Sequence, residues 1–183
     1  MASRNAKMTL ILGGARSGKS HFAQELGSKS PQPVLFVATA EAGDEEMRQR
    51  IEAHKKARPA TWRTLEAATQ VGKRIIQEMG EAQTVIIDCI TLLVNNVFAQ
   101  HGEPLDASLI EQAVMAEIGE LASLVNQVNA RFIIVSNEVG LGIVPADGVS
   151  RLYRDLLGKA NQLLAQQADE VYLMVAGLPV PIK

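Results

Sequence analysis

Short, nearly unbroken apolar runs alternate along this chain with longer stretches in which apolar residues recur every three or four positions. The runs are Met8–Leu12, Val34–Ala38, Thr84–Asp88, Arg131–Ser136 and Val171–Val175, with a shorter one at Val180–Ile182. Runs of four to six residues without polar alternation predict strands buried on both faces, as in a parallel sheet. Between them, Ser20–Leu26 carries Phe22, Ala23 and Leu26 at helical spacing, and Asp44–Lys56 reads as a charged helix. Asp44, Glu45 and Glu46 suit the positive end of that helix, and Arg58-Pro59 ends it. Glu66–Met79, Ile90–Ala99 and about Ser150–Gln167 are further helix candidates. Asp106–Asn129 gives the clearest amphipathic pattern, with Ile110, Val114, Ile118, Leu121, Val125 and Val128 on one stripe. The last two runs, joined across Gly177-Leu178-Pro179, predict a hairpin of antiparallel edge strands, where Pro181 is tolerated. The expected fold is one α/β domain over residues 1–183: a mainly parallel sheet flanked by helices, with a C-terminal antiparallel edge hairpin.

Composition narrows the function. The chain has 183 residues, 47% of them apolar, enough for one domain with a sizeable core. A net charge of −2 argues against nucleic acid or an anionic membrane as the main partner. The single Cys89 cannot form an internal disulfide, which fits a reducing compartment. Met1–Lys7 is polar, unlike a signal peptide, and the most apolar stretch, Val85–Val97, is interrupted by Asp88, Asn95 and Asn96. The expectation is a cytoplasmic protein with no membrane span.

Chemistry enters at Gly13-Gly14-Ala15-Arg16-Ser17-Gly18-Lys19-Ser20, which fits G-x-x-x-x-G-K-[ST] between a predicted strand and a predicted helix. A strand, a glycine-rich turn and a helix N-terminus form a nest of backbone N–H groups suited to nucleotide phosphates. Lys19 would place a charge on the β- and γ-phosphates, and the Ser20 hydroxyl would meet Mg²⁺. Asp88, at the end of its apolar strand, has the place of the acidic residue that holds the metal in such proteins. The plainer alternative for Asp88 is an N-cap for the helix that follows. Asn-Lys-x-Asp is absent, which disfavours a signalling GTPase.

Arg50, His54 and Arg58 fall at i, i+4 and i+8, so an imidazole sits between two guanidinium groups on one side of a helix. A neutral imidazole is nucleophilic, and flanking cations both keep it neutral and attract phosphate. Spacing by itself favours a surface histidine on a solvated helix.

The combination of motifs is more specific. Gly13–Ser20, Ala38-Thr39-Ala40, Arg50-Ile51-Glu52-Ala53-His54 with Arg58-Pro59, Trp62-Arg63-Thr64-Leu65-Glu66, Ser136–Pro145 and Ala168-Asp169-Glu170-Val171 occur in order. Together they resemble the bifunctional adenosylcobinamide kinase/adenosylcobinamide-phosphate guanylyltransferase family of cobalamin biosynthesis, from about Met8 to Lys183. The resemblance implies a RecA-like P-loop fold, a homotrimer, and two reactions. The first phosphorylates the aminopropanol hydroxyl of adenosylcobinamide with ATP or GTP. The second transfers GMP from GTP to that phosphate through a GMP–histidine intermediate. It places the covalent histidine at His54 and the phosphates on Gly13, Gly14, Ala15, Arg16, Ser17, Gly18, Lys19 and Ser20. It adds Ala38, Thr39, Ala40, Lys55, Lys56, Ala57, Arg58, Glu66 and Asp88 to the GTP site, with Ser20 and Asp88 toward Mg²⁺.

The chemistry agrees with the histidine. Imidazole attacks phosphorus well and leaves well once protonated, whereas serine would form too stable an ester. Lys55, Lys56 and Arg58 can stabilise the transferring phosphoryl group. His21, just inside the P-loop helix, is the competing histidine, and His101 follows the helix that comes after Asp88. Asn137 and Glu138 open a glycine- and proline-rich loop on the edge where α/β proteins bind ligands, with roles left open. Arg151 and Arg154 read as surface helix residues, and Trp62 as either core or a platform for a flat ligand. A simple small-molecule kinase and a non-catalytic nucleotide switch remain as alternatives. One site serving two phosphorus atoms suggests that the His54 helix moves, so that structures with and without GTP differ there.

Overall fold

The computed structural model describes residues 7–41, 43, 45–102 and 104–183. Within the second helix the side chains at 46, 47, 50, 53, 54 and 57 lie outside the description, as does Asp44. The described residues form seven strands and six helices. They run β1 (Met8–Gly13), α1 (Lys19–Ser28), β2 (Val34–Ala38), α2 (Glu45–Ala57), β3 (Arg63–Glu66), α3 (Val71–Glu78), β4 (Thr84–Asp88), α4 (Ile90–Ala99), α5 (Ala107–Gln127), β5 (Arg131–Val135), α6 (Gly148–Gln167), β6 (Glu170–Val175) and β7 (Leu178–Pro181).

One sheet holds all seven strands in the order β3-β2-β4-β5-β1-β6-β7, and every neighbouring pair is parallel except β6–β7. The apolar runs are explained by burial on both faces, because successive residues of a strand enter different cores. Leu10, Leu35, Val37, Val85, Ile87, Phe132 and Ile134 pack with α3–α6 residues such as Ile75, Leu93, Leu121 and Leu157. Ile11, Phe36, Ile86, Ile133 and Val135 pack in a smaller core with Ala23, Leu26 and Trp62. Gly27 belongs to that smaller core because α1 approaches the sheet closely there. A Cβ at position 27 would lie 2.5 Å from Ile86 Cδ1 and 2.9 Å from Trp62 Cη2.

Two expectations need correction. Glu66–Met79 is not one helix: Arg63–Glu66 is the edge strand β3, and α3 starts only at Val71. Only Leu65 of β3 is buried, so the alternation is too short to register as a strand pattern. The C-terminal hairpin is present, with its turn at Ala176-Gly177, but β6 joins β1 in parallel and only β7 is antiparallel. Two helices start at side-chain caps. The Asp106 carboxylate accepts from the N–H groups of Ser108 at 2.9 Å and Leu109 at 3.1 Å. The Asp147 carboxylate accepts from Ser150 N–H at 2.7 Å, which holds its carboxyl below the usual range.

The topology aligns four strand ends. Val135 of β5 is level with Ile11 of β1 and with Asp88 of β4, and Asp88 is level with Ala38 of β2. The segments leaving β1, β5, β4 and β2 therefore emerge side by side at one edge of the sheet, where open α/β folds bind ligands.

Candidate active site

At that edge lies a cavity of about 610 Å³, a size suited to a nucleotide. Its floor is the P-loop. Gly18 precedes α1 with φ 97°, a conformation that glycine adopts without strain, and Ala15 to Ser20 line the cavity. Gly13, the buried last residue of β1, and the exposed Gly14 at the start of the turn are outside that lining. The loop is braced from the C-terminal hairpin, where Gly177 N–H donates to the Ser17 carbonyl at 3.0 Å. Two polar groups of the loop are buried. The Ser17 hydroxyl is buried and has no partner among the described residues. Lys19 is buried, and its Nζ donates to the Gly14 carbonyl at 2.7 Å. Burial lowers its pKa, and the nearby Cys89 and Asp88 oppose that shift.

Asp88 and Cys89 form the wall beyond Lys19. The expectation for Asp88 as a helix cap fails, because α4 is capped at Cys89 and Asp88 faces the cavity. Ser20 and Asp88 line the same cavity, and no cluster of three His, Cys, Asp or Glu occurs among the described residues. That donor set fits a Mg²⁺ held mainly by phosphate oxygens and water, with one or two protein ligands, and not a cage of side chains. The Cys89 thiol is pushed up to about 11, first by burial and then by the Asp88 charge, so it is a neutral packing group near pH 7.

Ala38 and Ala40 line the cavity, whereas Thr39 is used by the fold. Its hydroxyl donates to the Cys89 carbonyl at 2.7 Å and accepts from Cys89 N–H at 2.8 Å, tying the ends of β2 and β4 together. Arg58 reaches the cavity just after α2. Its guanidinium carbon sits 3.8 Å above the Phe36 ring, and Nη1 donates to the Thr64 hydroxyl at 3.4 Å. Burial lowers its pKa, offset by Asp88 and Glu66. Phe36, read from sequence only as a strand residue, is thus the platform for a site cation. Lys55 Nζ lies 2.7 Å from Glu66 Oε1 and 3.6 Å from Glu52 Oε1. Its pKa is raised chiefly by that hydrogen bond to Glu66. Lys55, Lys56 and Glu66 stand outside the cavity lining.

The backbone of His54 belongs to α2, three residues after Ile51 and four before Arg58, both of which line the cavity. The His54 side chain lies outside the described residues, as do those of Arg50 and Ala57. His21 stands at the exposed rim, 3.4 Å from Glu25. Asn137 lines the cavity, but Glu138 turns away, its carboxylate accepting from Gly140 N–H at 2.7 Å. Arg151 donates to the carbonyls of Pro145 and Ala146, and Arg154 pairs with Asp155, so both serve the surface. Trp62 is buried core, stacked on Phe36 with ring centroids 6.5 Å apart. Ile51 and Leu92 are cavity residues missed from sequence. The spacing of Ile51 from Arg58, two helical turns, was the available signal for the first.

Known proteins resemble this chain over nearly its whole length. The family model described as cobinamide kinase / cobinamide phosphate guanyltransferase matches residues 9–182. The bifunctional adenosylcobalamin biosynthesis protein CobU of Escherichia coli strain K12 is 40% identical, over 96% of this chain and 99% of the relative. Its Salmonella typhimurium counterpart is 42% identical over the same shares. The bifunctional adenosylcobalamin biosynthesis protein CobP of Pseudomonas aeruginosa is 42% identical, over 95% of this chain and 96% of the relative. With its P-loop, strand-end aspartate and α2 wall around one cavity, this chain belongs to the cobinamide kinase / cobinamide phosphate guanyltransferase family.

Proposed function

We propose that this protein phosphorylates adenosylcobinamide with ATP or GTP and then transfers GMP from GTP to the resulting phosphate. The observation that carries this reading is the single cavity in which P-loop, Asp88 and Arg58 meet beside the helix bearing His54. In the first reaction the acceptor hydroxyl oxygen bonds to the γ-phosphorus and the bond to the β–γ bridging oxygen breaks. The nucleoside diphosphate leaves with that electron pair, and the hydroxyl proton passes to solvent. Bound Mg²⁺ would supply charge neutralisation on the phosphates, with Ser20 and Asp88 as its protein-side partners. Lys19 and the P-loop N–H groups hold the phosphates, and Arg58 offsets charge that develops during transfer.

In the second reaction His54 attacks the α-phosphorus of GTP and pyrophosphate leaves. The cobinamide phosphate oxygen then takes GMP, and the imidazole departs. The family resemblance also supports a homotrimer in the cytoplasm. The exposed Leu178 and Val180 on the outer strand β7, with Ile182 just after it, offer an apolar edge for another copy. Among the described residues no helix is long and apolar enough to cross a membrane.

The test is GTP labelled at the α-phosphate. The protein should retain label after denaturation, acid-labile and base-stable as a phosphoramidate is. The label should be lost in His54→Ala and kept in His21→Ala. An unlabelled wild-type protein would leave a simple kinase, with His54 a bystander.

A further inference from the structure

Resting on the kinase reading above, we propose that the Asn137 side-chain amide holds the γ-phosphoryl group during phosphorylation of the acceptor, and is not needed for attack at the α-phosphorus. Its position comes from the sheet order. β5 lies between β1, which feeds the P-loop, and β4, which ends in Asp88. Val135 is level with both Ile11 and Asp88. Two residues later Asn137 emerges between the phosphate loop and the proposed metal carboxylate, and it lines the cavity.

Its backbone is fastened from every side. Ser136 N–H donates to the Ile11 carbonyl at 2.9 Å, and Glu138 N–H donates to the Gly13 carbonyl at 3.0 Å. Asn137 N–H donates to the Thr91 hydroxyl at 2.8 Å, and its carbonyl accepts from Asn161 Nδ2 at 3.0 Å. Thr91 and Asn161 are themselves buried, and the Tyr153 hydroxyl donates to the Thr91 carbonyl at 3.0 Å. Against this, the half-buried Asn137 side chain makes no hydrogen bond among the described residues. Helices α4 and α6 and strand β1 thus fix the backbone of a residue whose own amide contributes nothing to the fold. A rigid backbone carrying an uncommitted amide toward a ligand cavity is the arrangement that preorganised stabilisation of a transferring group requires.

The chemistry selects the γ-phosphate. In a P-loop the backbone cradles the phosphates nearer the nucleoside while the lysine and the metal reach the β- and γ-phosphates. Asn137 stands between the groups at that far end. Its Nδ2 can donate to a γ-phosphoryl oxygen, and its Oδ1 can accept from the incoming hydroxyl. Being neutral, it aligns both without repelling either. Attack at the α-phosphorus takes place at the other end of the triphosphate.

The experiment compares wild type with Asn137→Ala and the isosteric Asn137→Asp. Three quantities are read: transfer of γ-label to adenosylcobinamide, covalent α-label at saturating GTP, and affinity for a non-hydrolysable triphosphate against the matching diphosphate. For Asn137→Ala, kcat for γ-transfer should fall ~100-fold, the scale of losing one preorganised donor. Triphosphate affinity should fall ~10-fold with diphosphate affinity unchanged, as for one hydrogen bond to a charged group. Asn137→Asp, which removes the donor and adds like charge, should be worse in both, while α-label persists. An unchanged triphosphate-to-diphosphate ratio, or equal losses of γ-transfer and α-label, would overturn the proposal. The binding ratio reads Asn137 even in a protein that transfers nothing to the corrinoid, so failure of the kinase reading is seen separately.

Discussion

The phosphate end of the cavity and the α2 wall differ in how they are held. At the phosphate end, all six residues of β1 are buried, Lys19 is buried, and the loops after β1, β4 and β5 are cross-tied through Gly13, Thr39, Thr91 and Gly177. On the α2 wall no described side chain of the helix is fully buried. Among the described residues its ties include Arg58 over Phe36 and against Thr64, and the Lys55–Glu66 pair, with side chains 37% and 64% exposed. Such an exposed pair contributes ~0–1 kcal/mol. The difference suits an enzyme with two reactions, one at the γ-phosphorus of a triphosphate and one at the α-phosphorus of another. In the function proposed above, a fixed seat would hold the phosphates in both, and a less tightly tied wall would carry the histidine that attacks one of them.

The comparison breaks most directly at Lys19. Lys19→Ala should lower γ-transfer and α-labelling together, each by ~10³-fold, because both need the triphosphate seated. Parallel assays of the two labels check this. Loss of only one would mean that the two chemistries use separate seats.

The same contrast governed what the sequence disclosed. Buried elements give dense apolar patterns, so the strands β2 and β4 and the helix α4 are legible to the residue, and the P-loop follows from its flanks. Edge and exposed elements carry weaker patterns. β3 buries one residue, and its place in the sheet depends on pairing with β2, a contact no local pattern encodes. Asp88 was legible because a strand end is a local feature. The ring of Phe36 under Arg58 and the clasp of Thr39 on Cys89 were not, since each joins residues brought together only by the sheet. Site residues named through family likeness divide in the same way, Ala15 to Ser20 of the P-loop and Arg58 lining the cavity and Lys55, Lys56 and Glu66 standing outside it.

Cys89 is a reporter for the fixed end. Its thiol, pushed up to about 11 from an ordinary 9.0, carries ~100-fold less thiolate near neutral pH than a free thiol would. Alkylation by iodoacetamide at pH 8 should be slower than that of glutathione by about that factor, and slower again once nucleotide covers the cavity. The sign for stability follows. A folded pKa above the unfolded one means that the neutral, buried thiol contributes its full stabilisation below pH 9, and that the contribution is lost between about pH 9 and 11. Rapid alkylation at pH 8 would place the phosphate end among the loosely held parts of the molecule.

The smallest effect sharpens the contrast through stability alone. Gly27→Ala puts a methyl group within 2.5 Å of Ile86 Cδ1 and 2.9 Å of Trp62 Cη2, at the contact between α1 and the sheet. Ala favours a helix over Gly by ~1 kcal/mol, but the overpacking costs ~1–3 kcal/mol, so the net should be destabilising. For a domain of this length each kcal/mol lowers Tm by ~2–4 °C. Gln49→Ala, on the exposed surface of α2, gives up one weak contact to Glu45 at 3.4 Å and gains helix propensity. It should stay within ~0.5 kcal/mol of wild type. Thermal or urea unfolding of the pair decides the matter. If Gln49→Ala unfolds as readily as Gly27→Ala, α2 belongs to the cooperative core, and the contrast between the two sides of the cavity fails.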